Sequence, residues 1–366
     1  MKKWMAIAAA VGVSLSLCAP VRGVETSAAS AILVEAESGR VLYEHNADDR
    51  RLIASTTKLM TALVALESGH GLDEEVVIEE EDTRTEGSSL YLRVGETISL
   101  ETLLYGLLLH SGNDAALAVA RYCGGSVEDF VAEMNAKAAE LGMTDSSFAN
   151  PNGLNDEQHY STARDMARLA RACMDNETLS EIVSTKSTAM GGRVFQNHNK
   201  LLWQYEGCVG MKTGYTELAG RTLVSAARRD DMTLIAVTLN DPNDWADHKA
   251  MYDYSFANYH METAVQAGEA LCTLPVSGGL APFAPLLAGE TVMWPVTEGE
   301  TLTVSLRPGV DVLNAPVEPG AQVGEAVCLL NGETVSSVPL ICTGAERVAA
   351  EKQSPIERLL AWILRK

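Results

Sequence analysis

Two different hydrophobic periods follow one another near the start of the chain. In "AILVEAESGRVLYEH", residues 31–45, two short apolar runs flank the turn residues 37–40, and this pattern predicts a β-hairpin. The next stretch, "IASTTKLMTALVALE", residues 53–67, begins with small and hydroxyl residues and continues with apolar residues at helical spacing. A helix is therefore predicted here, and it carries a lysine, Lys58, one turn from its start.

Further helical patterns precede a change to strands. Apolar residues recur at helical spacing in three stretches, 100–122, 126–141 and 162–174. The first stretch is interrupted by Ser111-Gly112-Asn113, three poor helix formers, so we expect two helices that meet at a loop. From about residue 208 the pattern is that of strands, and "RTLVSAARRDDMTLIAVTLN" predicts two strands joined by a charged turn at 229–231.

The last hundred residues differ in character from those before them. Beyond about residue 262, short apolar runs such as "TVMWPV" and "AVCLL" alternate with Gly, Pro and Asn-Gly turns, which predicts an all-β domain. The final stretch, "SPIERLLAWILRK", places apolar residues on one face of a helix and is too short to span a bilayer. Two interpretations remain open for it: a helix packed on the β domain, or an interfacial membrane anchor.

The first 23 residues have the features of a secretory signal. Lys2 and Lys3 precede an apolar run of about 15 residues, and the small residues Val21 and Gly23 end it. The mature chain is predicted to start near Val24. An uncleaved membrane helix is disfavoured because the run falls short of the ~20 residues that a span needs, and a lipoprotein is disfavoured by the large Leu17 before Cys18.

Composition and charge exclude several classes of function. The 366 residues, 46% hydrophobic and 21% charged, are those of a folded protein with room for two or three domains. The formal charge of −21 becomes −24 without the signal, which carries three basic residues and no acidic ones, and so acidic a surface repels nucleic acid. The six remaining cysteines match no zinc pattern, their redox state stays open, and the seven histidines include no HxxxH pair, so we expect no metal site.

Ser55 and Lys58 have the spacing of a nucleophile and its base. Residues three apart lie one turn apart on one helix face, and a neutral lysine can take the proton of a serine hydroxyl. Burial, a second cation and the positive helix N-terminus would each lower the lysine pKa enough to make it neutral. Alone the pair is a weak signal, because an N-cap serine followed by an exposed lysine has the same spacing.

Two further motifs favour the catalytic interpretation of Ser55 and Lys58. Ser111-Gly112-Asn113 offers a hydroxyl and an amide in a tight interhelical loop, and Lys212-Thr213-Gly214 opens a strand, with Gly214 leaving space beside the backbone. Order and separation resemble the Ser-x-x-Lys, Ser-x-Asn and Lys-Thr-Gly set of penicillin-recognising serine enzymes. With "SSFANPNGLNDEQHYSTARDMARLAR", "NHNKLLWQYEGCVGMKTGYTELAG" and the β domain, residues 27–345 resemble the low-molecular-mass penicillin-binding proteins, the D-alanyl-D-alanine carboxypeptidase family.

The resemblance implies an α/β (α+β) fold. A transpeptidase/β-lactamase-like catalytic domain, with an antiparallel sheet flanked by helices, would occupy residues 24–262. A β-sandwich-like domain would follow at 263–345, and an amphipathic helix, a possible membrane anchor, at 354–366. The protein would be secreted across the cytoplasmic membrane and be membrane-associated on its extracellular or periplasmic face.

The resemblance also implies an acyl-enzyme mechanism that needs no cofactor. Ser55 would attack the carbonyl between the two terminal D-alanines of a peptidoglycan stem peptide, and Lys58 would take its proton. Ser111 would relay a proton to the leaving D-alanine, while Asn113 would hold the substrate amide and Lys58. β-Lactam antibiotics, which mimic the dipeptide, would be trapped on Ser55.

Substrate recognition would fall to the third motif. Lys212 would favour the neutral form of Lys58 and attract the substrate carboxylate, which the hydroxyl of Thr213 can also bind. Gly214 would leave room for the substrate. The backbone N–H groups of Ser55 and Tyr215 would form the oxyanion hole.

Departures from the family pattern leave alternatives open. Many relatives place a carboxylate-binding arginine in the loop that here reads "NDPNDWADHK", which has none. The "NPNGL" stretch, 150–154, is interpreted as an ordinary turn without a catalytic role, and Cys208 as a small buried residue. A β-lactamase-like hydrolase is disfavoured by Ser-Gly-Asn in place of Ser-Asp-Asn and by the lack of a Glu-x-x-Leu-Asn stretch. A non-catalytic wall-binding protein is disfavoured because Ser55, Lys58 and Lys212 are all present.

Overall fold

The computed structural model describes residues 24–346, which divide into two units. The first ends at Ala257 and the second begins at Asn258. The predicted signal segment, 1–23, and the predicted amphipathic helix, 354–366, lie outside the described residues. Between residues 24 and 346, no helix has the length and apolar content needed to cross a membrane.

The first unit combines helices with short and long strands. In chain order its elements are β1 (Ser30–Glu35), β2 (Val41–His45), α1 (Lys58–Glu67), β3 (Glu75–Val77), β4 (Thr97–Ser99), α2 (Leu100–Tyr105), α3 (Asn113–Gly124), α4 (Val127–Glu140), α5 (Ala163–Asp175), α6 (Glu177–Ser184), β5 (Ser187–Met190), β6 (Arg193–Gln196), α7 (Leu201–Gln204), β7 (Cys208–Thr216), β8 (Gly220–Arg229), β9 (Met232–Leu239) and α8 (Asp244–Asn258). A 3₁₀ turn (Ala54–Thr57) leads into α1, and a π-helical turn (Gly106–His110) follows α2.

Five of these strands form the central antiparallel sheet. Their order is β2-β1-β9-β8-β7, so β7 lies at an open edge. The strands β8 and β9 are buried along most of their length, which explains why their sequences are continuous apolar runs rather than alternating apolar and polar residues. The predicted hairpin, the two strands joined at Asp230 and the antiparallel sheet flanked by helices are confirmed.

Helix α1 lies at the centre of the hydrophobic core. Most of its residues are buried, and it packs against α3, α4 and α5, while α5 in turn packs on β9 and β1. Side-chain caps define several helix starts: Ser99, Ser126 and Thr162 each accept a hydrogen bond from the backbone N–H three residues on. The predicted helices over 53–67, 100–122, 126–141 and 162–174 are confirmed, with the break of the second at residues 111 and 112.

The second unit consists of strands. They are β10 (Tyr259–Val265), β11 (Ala270–Ser277), β12 (Phe283–Ala288), β13 (Val292–Thr297), β14 (Leu302–Pro308), β15 (Leu313–Asn314), β16 (Gln322–Leu330) and β17 (Glu333–Cys342). Six of them form a sheet of order β14-β16-β17-β12-β11-β15, in which only the β11–β15 pair is parallel, and β10 pairs with β13. The predicted all-β character is confirmed, and the division expected between residues 262 and 263 falls inside β10.

Candidate active site

The predicted nucleophile and base lie at the start of the central helix. Ser55 belongs to the 3₁₀ turn, and Lys58 is the first residue of α1. The Lys58 Nζ lies 3.1 Å from Ser55 Oγ. Lys58 is fully buried, so it is not the exposed lysine of the alternative interpretation. Ala54, immediately before Ser55, has φ +47°, a left-handed conformation that a non-glycine residue seldom adopts.

The Lys58 amine is enclosed by three oxygen atoms. Besides Ser55, it contacts Asn113 Oδ1 at 2.7 Å and the backbone carbonyl oxygen of Asn152 at 2.6 Å. Asn113 is fixed in turn, because its Nδ2 donates to the Glu86 carbonyl oxygen at 2.6 Å. No carboxylate is among the hydrogen-bond partners of this amine that the structure describes, so its charged form has no paired anion.

Burial lowers the pKa of Lys58 well below that of a free lysine. The loss of hydration is the largest cause, the charge of Lys212 adds to it, and Asp114 opposes both. The carboxylate of Asp114 is engaged elsewhere, accepting hydrogen bonds from the backbone N–H groups of Leu90 and Leu92. A lowered pKa favours the neutral form of this lysine, and in that form it can accept the proton of the serine hydroxyl beside it.

The second motif connects the two lysines. Ser111 follows the π-helical turn with φ +66°, and Asn113 is the first residue of α3. This bend directs the Ser111 hydroxyl to Lys212, whose Nζ lies 3.1 Å away, while Asn113 reaches Lys58. The interhelical loop therefore contacts both lysines, each with a different side chain.

Lys212, Thr213, Gly214 and Tyr215 lie on the edge strand β7. Lys212 is also buried; its Nζ donates to the Thr213 carbonyl oxygen at 2.9 Å, and burial lowers its pKa to about 7. Gly214 lies against the nucleophile turn, since a Cβ there would stand 2.9 Å from the Ser55 nitrogen and 2.4 Å from Thr222 Oγ1. Only glycine fits this contact, and it brings the backbone of β7 beside Ser55.

The "NPNGL" stretch is more than the ordinary turn that we expected. It supplies the Asn152 carbonyl oxygen to Lys58, and Gly153 is pressed against the nucleophile turn: a Cβ there would stand 2.0 Å from the Ala54 carbonyl oxygen. Next to it, His159 Nε2 lies 2.7 Å from Thr57 Oγ1, and burial lowers the pKa of this imidazole to about 4. Sequence reasoning missed both contacts. The one signal in the sequence was Gly153, whose φ of +84° in the structure is a conformation that favours glycine.

The loop without the family arginine meets an arginine from another strand. Asp244, at the start of α8, pairs with Arg221 of β8, whose Nη2 lies 2.7 Å from Asp244 Oδ2 and whose Nε also donates to it. Arg221 is the register partner of Tyr215 on β7, and its side chain keeps 42% of its exposure. A guanidinium is therefore present near the end of the edge strand.

Among the described residues, neither Cys208 nor a metal cluster offers a competing site. Burial raises the pKa of the Cys208 thiol to about 11, so this cysteine is not a thiolate nucleophile, and the six cysteines of the described chain form no disulfide. Between residues 24 and 346, no group of three or more His, Cys, Asp or Glu side chains could hold a metal ion.

Comparison with known proteins agrees with this geometry. Residues 18–243 match the family model described as D-alanyl-D-alanine carboxypeptidase, and residues 259–346 match that of the penicillin-binding protein 5 C-terminal domain. D-alanyl-D-alanine carboxypeptidase DacF of Bacillus subtilis is 32% identical over 86% of this chain and 84% of its own. DacA of Escherichia coli is 31% identical, over 92% of this chain and 88% of its own.

Solved structures give the same result. Penicillin binding protein 5 from Haemophilus influenzae has a TM-score of 0.79 at 29% sequence identity, covering 89% of this chain and 100% of its own. A peptidoglycan synthesis regulatory factor, PBP3, from Streptococcus pneumoniae has a TM-score of 0.76 at 26% identity, covering 88% and 100%. The chain therefore belongs to the D-alanyl-D-alanine carboxypeptidase family of serine-type penicillin-binding proteins, hydrolases of cell-wall metabolism.

Proposed function

We propose that the chain removes the terminal D-alanine from peptidoglycan stem peptides through an acyl-enzyme on Ser55. The observation that carries this proposal is the fully buried Lys58 amine, 3.1 Å from Ser55 Oγ and without a carboxylate partner among its described contacts. The hydroxyl proton passes to Lys58 Nζ as Oγ attacks the carbonyl carbon, and the bond to the leaving D-alanine nitrogen then breaks. Water hydrolyses the resulting ester.

Within the second motif, Asn113 positions Lys58 and Ser111 transfers a proton. Asn113 accepts from Lys58 at 2.7 Å, which fixes the amine within reach of Ser55 Oγ. Ser111, in contact with Lys212, relays a proton to the nitrogen of the departing D-alanine, and the proton that Lys58 took from Ser55 balances the one delivered, so the Ser111 hydroxyl is restored. Because the two lysines repel each other, the charge of Lys212 favours the neutral form of Lys58.

The open edge of β7 receives the substrate. An edge strand presents unpaired backbone groups, and an extended peptide can bind there as an added strand. The close packing of Gly214 against Ser55 supports an oxyanion hole formed by the backbone N–H groups of Ser55 and Tyr215. Lys212 and Thr213 bind the terminal carboxylate.

Arg221 joins Thr213 in binding that carboxylate. Thr213 pairs with Leu223 and Tyr215 with Arg221, so Thr213 and Arg221 are diagonal neighbours on one face of the sheet, where side chains as long as arginine can meet. Asp244 and the ring of Trp245, 5.4 Å from the guanidinium carbon, hold Arg221 in place. Arg221→Lys keeps the charge next to Asp244 but loses the planar fork, so KM for the peptide should rise about tenfold with kcat little changed.

Localisation and domain limits complete the proposal. Residues 1–23 act as a cleaved secretory signal, residues 24–262 and 263–345 are the catalytic and β domains, and residues 354–366 bind the membrane surface as an interfacial helix. The protein then acts outside the cytoplasmic membrane and remains attached to it. The N-terminal charge and apolar pattern and the amphipathic C-terminal pattern support this part.

The experiment is intact-protein mass spectrometry after exposure to penicillin, paired with D-alanine release from diacetyl-Lys-D-Ala-D-Ala. We expect one stable adduct, located on Ser55, and D-alanine release, both lost in Ser55→Ala. An adduct that disappears within seconds, with hydrolysed drug, would indicate a β-lactamase-like hydrolase instead. A folded protein without any adduct would indicate a non-catalytic wall-binding protein, and either result would overturn the proposal.

A further inference from the structure

The second unit exposes four large apolar side chains between Asn258 and Glu346. Leu280 is 63% exposed, Phe283 59%, Val310 45% and Val312 43%. Leu280 lies in the β11–β12 turn and Phe283 at the start of β12, whereas Val310 and Val312 lie in the connection from β14 to β15. Single exposed apolar residues are ordinary on a protein surface, whereas a cluster of them indicates a contact with another apolar surface.

Strand register shows that these two pairs lie apart. Phe283 of β12 pairs with Pro275 of β11, and Leu313 of β15 pairs with Val276, the residue after Pro275. Because β11 and β15 run parallel, the residues before Leu313 run back along β11, away from the β11–β12 turn. The exposed apolar residues at that turn are Leu280, Ala281, Pro282 and Phe283, and we call these four the apolar tip.

The described chain ends beside this surface. The Leu280 backbone N–H donates to the Glu346 carbonyl oxygen at 2.9 Å, and Ala345 bridges to Val317. Glu346 therefore lies next to Leu280. Only residues 347–353 separate Glu346 from the amphipathic stretch that begins at Ser354, and seven residues extend over at most about 25 Å.

We propose that the apolar tip inserts into the membrane interface as a second lipid contact beside the C-terminal anchor. The proposal rests on the membrane-binding role given above to residues 354–366, which carry Arg358, Arg365 and Lys366 among their apolar residues. If that stretch lies on a bilayer, the short connection keeps the tip close to the same bilayer. Two weak contacts held on one surface bind far more tightly together than either does alone.

Apolar area rather than charge drives this insertion. Glu346, at the exit of the chain beside Leu280, is an acidic group in the immediate surroundings of the tip. Anionic lipid therefore attracts the basic C-terminal stretch but not the tip. Removing apolar surface from the tip should accordingly weaken binding to neutral and anionic vesicles alike.

Vesicle flotation tests the inference. The probe is a set of vesicles of phosphatidylethanolamine and phosphatidylglycerol at 7:3, and a second set of phosphatidylcholine alone, with protein that retains residues 24–366. The test variant is Leu280→Asn with Phe283→Asn. The matched control, Val77→Asn with Val194→Asn, removes two apolar side chains that are 54% and 77% exposed on the first unit. A third protein ends at residue 346.

We expect the Leu280/Phe283 variant to lower the partition coefficient about tenfold on both vesicle types, while the control leaves it unchanged. Penicillin labelling equal to that of the parent protein would show that each variant is folded. Parent-like flotation of the Leu280/Phe283 variant would overturn the inference about the tip. If truncation at 346 still abolished flotation, the proposed C-terminal anchor would be supported. If truncation had no effect but the double variant lost flotation, the tip would be supported and the proposed anchor would be wrong.

A second copy of the chain is the other partner to be tested. Sedimentation velocity without lipid, over a hundredfold range of concentration, should give a monomer for the parent protein and the double variant alike. Concentration-dependent dimers of the parent that vanish in the double variant would show that the tip binds another copy, and would overturn the lipid inference.

Discussion

Replacing Lys212 by methionine should stabilise the protein at the expense of its activity. Lys212 is 1% exposed, and burial lowers its pKa from 10.5 to about 7. Since one pKa unit corresponds to about 1.4 kcal/mol, the folded state at pH 7 carries a penalty of about 4 kcal/mol relative to the unfolded chain, in which this lysine is charged and hydrated. Methionine has a similar length and no charge, so Lys212→Met removes the penalty.

The net gain is smaller because two contacts disappear with the amine. The Lys212 Nζ lies 3.1 Å from Ser111 Oγ and 2.9 Å from the Thr213 carbonyl oxygen, and each such contact contributes about 1 kcal/mol. A gain of about 2 kcal/mol remains, equivalent to a rise in Tm of about 4–8 °C. The gain should shrink by about 2 kcal/mol between pH 7 and pH 9. Unfolding binds protons between the folded and unfolded pKa values, so the parent protein becomes more stable as pH rises.

Urea unfolding and calorimetry at pH 7 and pH 9 measure this effect. Lys200→Met, at an exposed position, is the control and should change the free energy of unfolding by less than about 0.5 kcal/mol. Lys212→Met should also lose penicillin acylation, which separates stability from activity. A variant no more stable than the parent at pH 7, or a gain independent of pH, would refute a lowered Lys212 pKa.

Three other changes test separate parts of the site and core. Gly153→Ala puts a Cβ 2.0 Å from the Ala54 carbonyl oxygen, so it should lower the free energy of unfolding by about 3 kcal/mol or more and slow acylation. The control Gly142→Ala, whose Cβ meets open space, should lower it by only about 1 kcal/mol. Equal losses of Tm in the two variants would contradict the close contact. Lys58→Ala should lower the acylation rate about 10²–10⁴-fold with the fold intact, and acylation at the parental rate would exclude Lys58 as the base. Burial lowers the pKa of His248 from 6.5 to about 3, so below pH 6.5 the unfolded chain binds a proton that the folded imidazole does not, and stability falls by about 3 kcal/mol by pH 4. His248→Gln should lose correspondingly less stability between pH 7 and pH 4 in urea unfolding, and an equal loss would argue against the shift.

The motif residues were predictable because their chemistry depends on residue type and local spacing. Ser55 and Lys58 lie one helical turn apart, and the sequence alone specifies that distance. The interruption at Ser111-Gly112-Asn113 likewise predicted a loop between two helices, because those three residues are poor helix formers. Tertiary packing then brought the separate motifs together, and only the family resemblance had anticipated that.

The contacts that sequence reasoning missed are mostly made by backbone or by buried polar groups. Asn152 contacts Lys58 through its carbonyl oxygen, which every residue possesses, so its identity carries no signal. Helix α8 was not predicted because it buries Asp244, Asp247 and His248, which obscure the apolar period on which helix prediction depends. The hairpin of β5 and β6 escaped notice because both strands are short and mostly exposed.

The sheet order of the first unit has a consequence for how the protein reaches its folded state. The first strand, β1, lies between β2 and β9, and Ile32 pairs with Val237 near the other end of the unit. The β1–β2 hairpin can form early, but β1 lacks its second neighbour until the chain has been made through β9. Such pairings between distant segments close slowly and leave an unprotected strand edge in the meantime. During synthesis, that edge is the surface where a chaperone would be needed most.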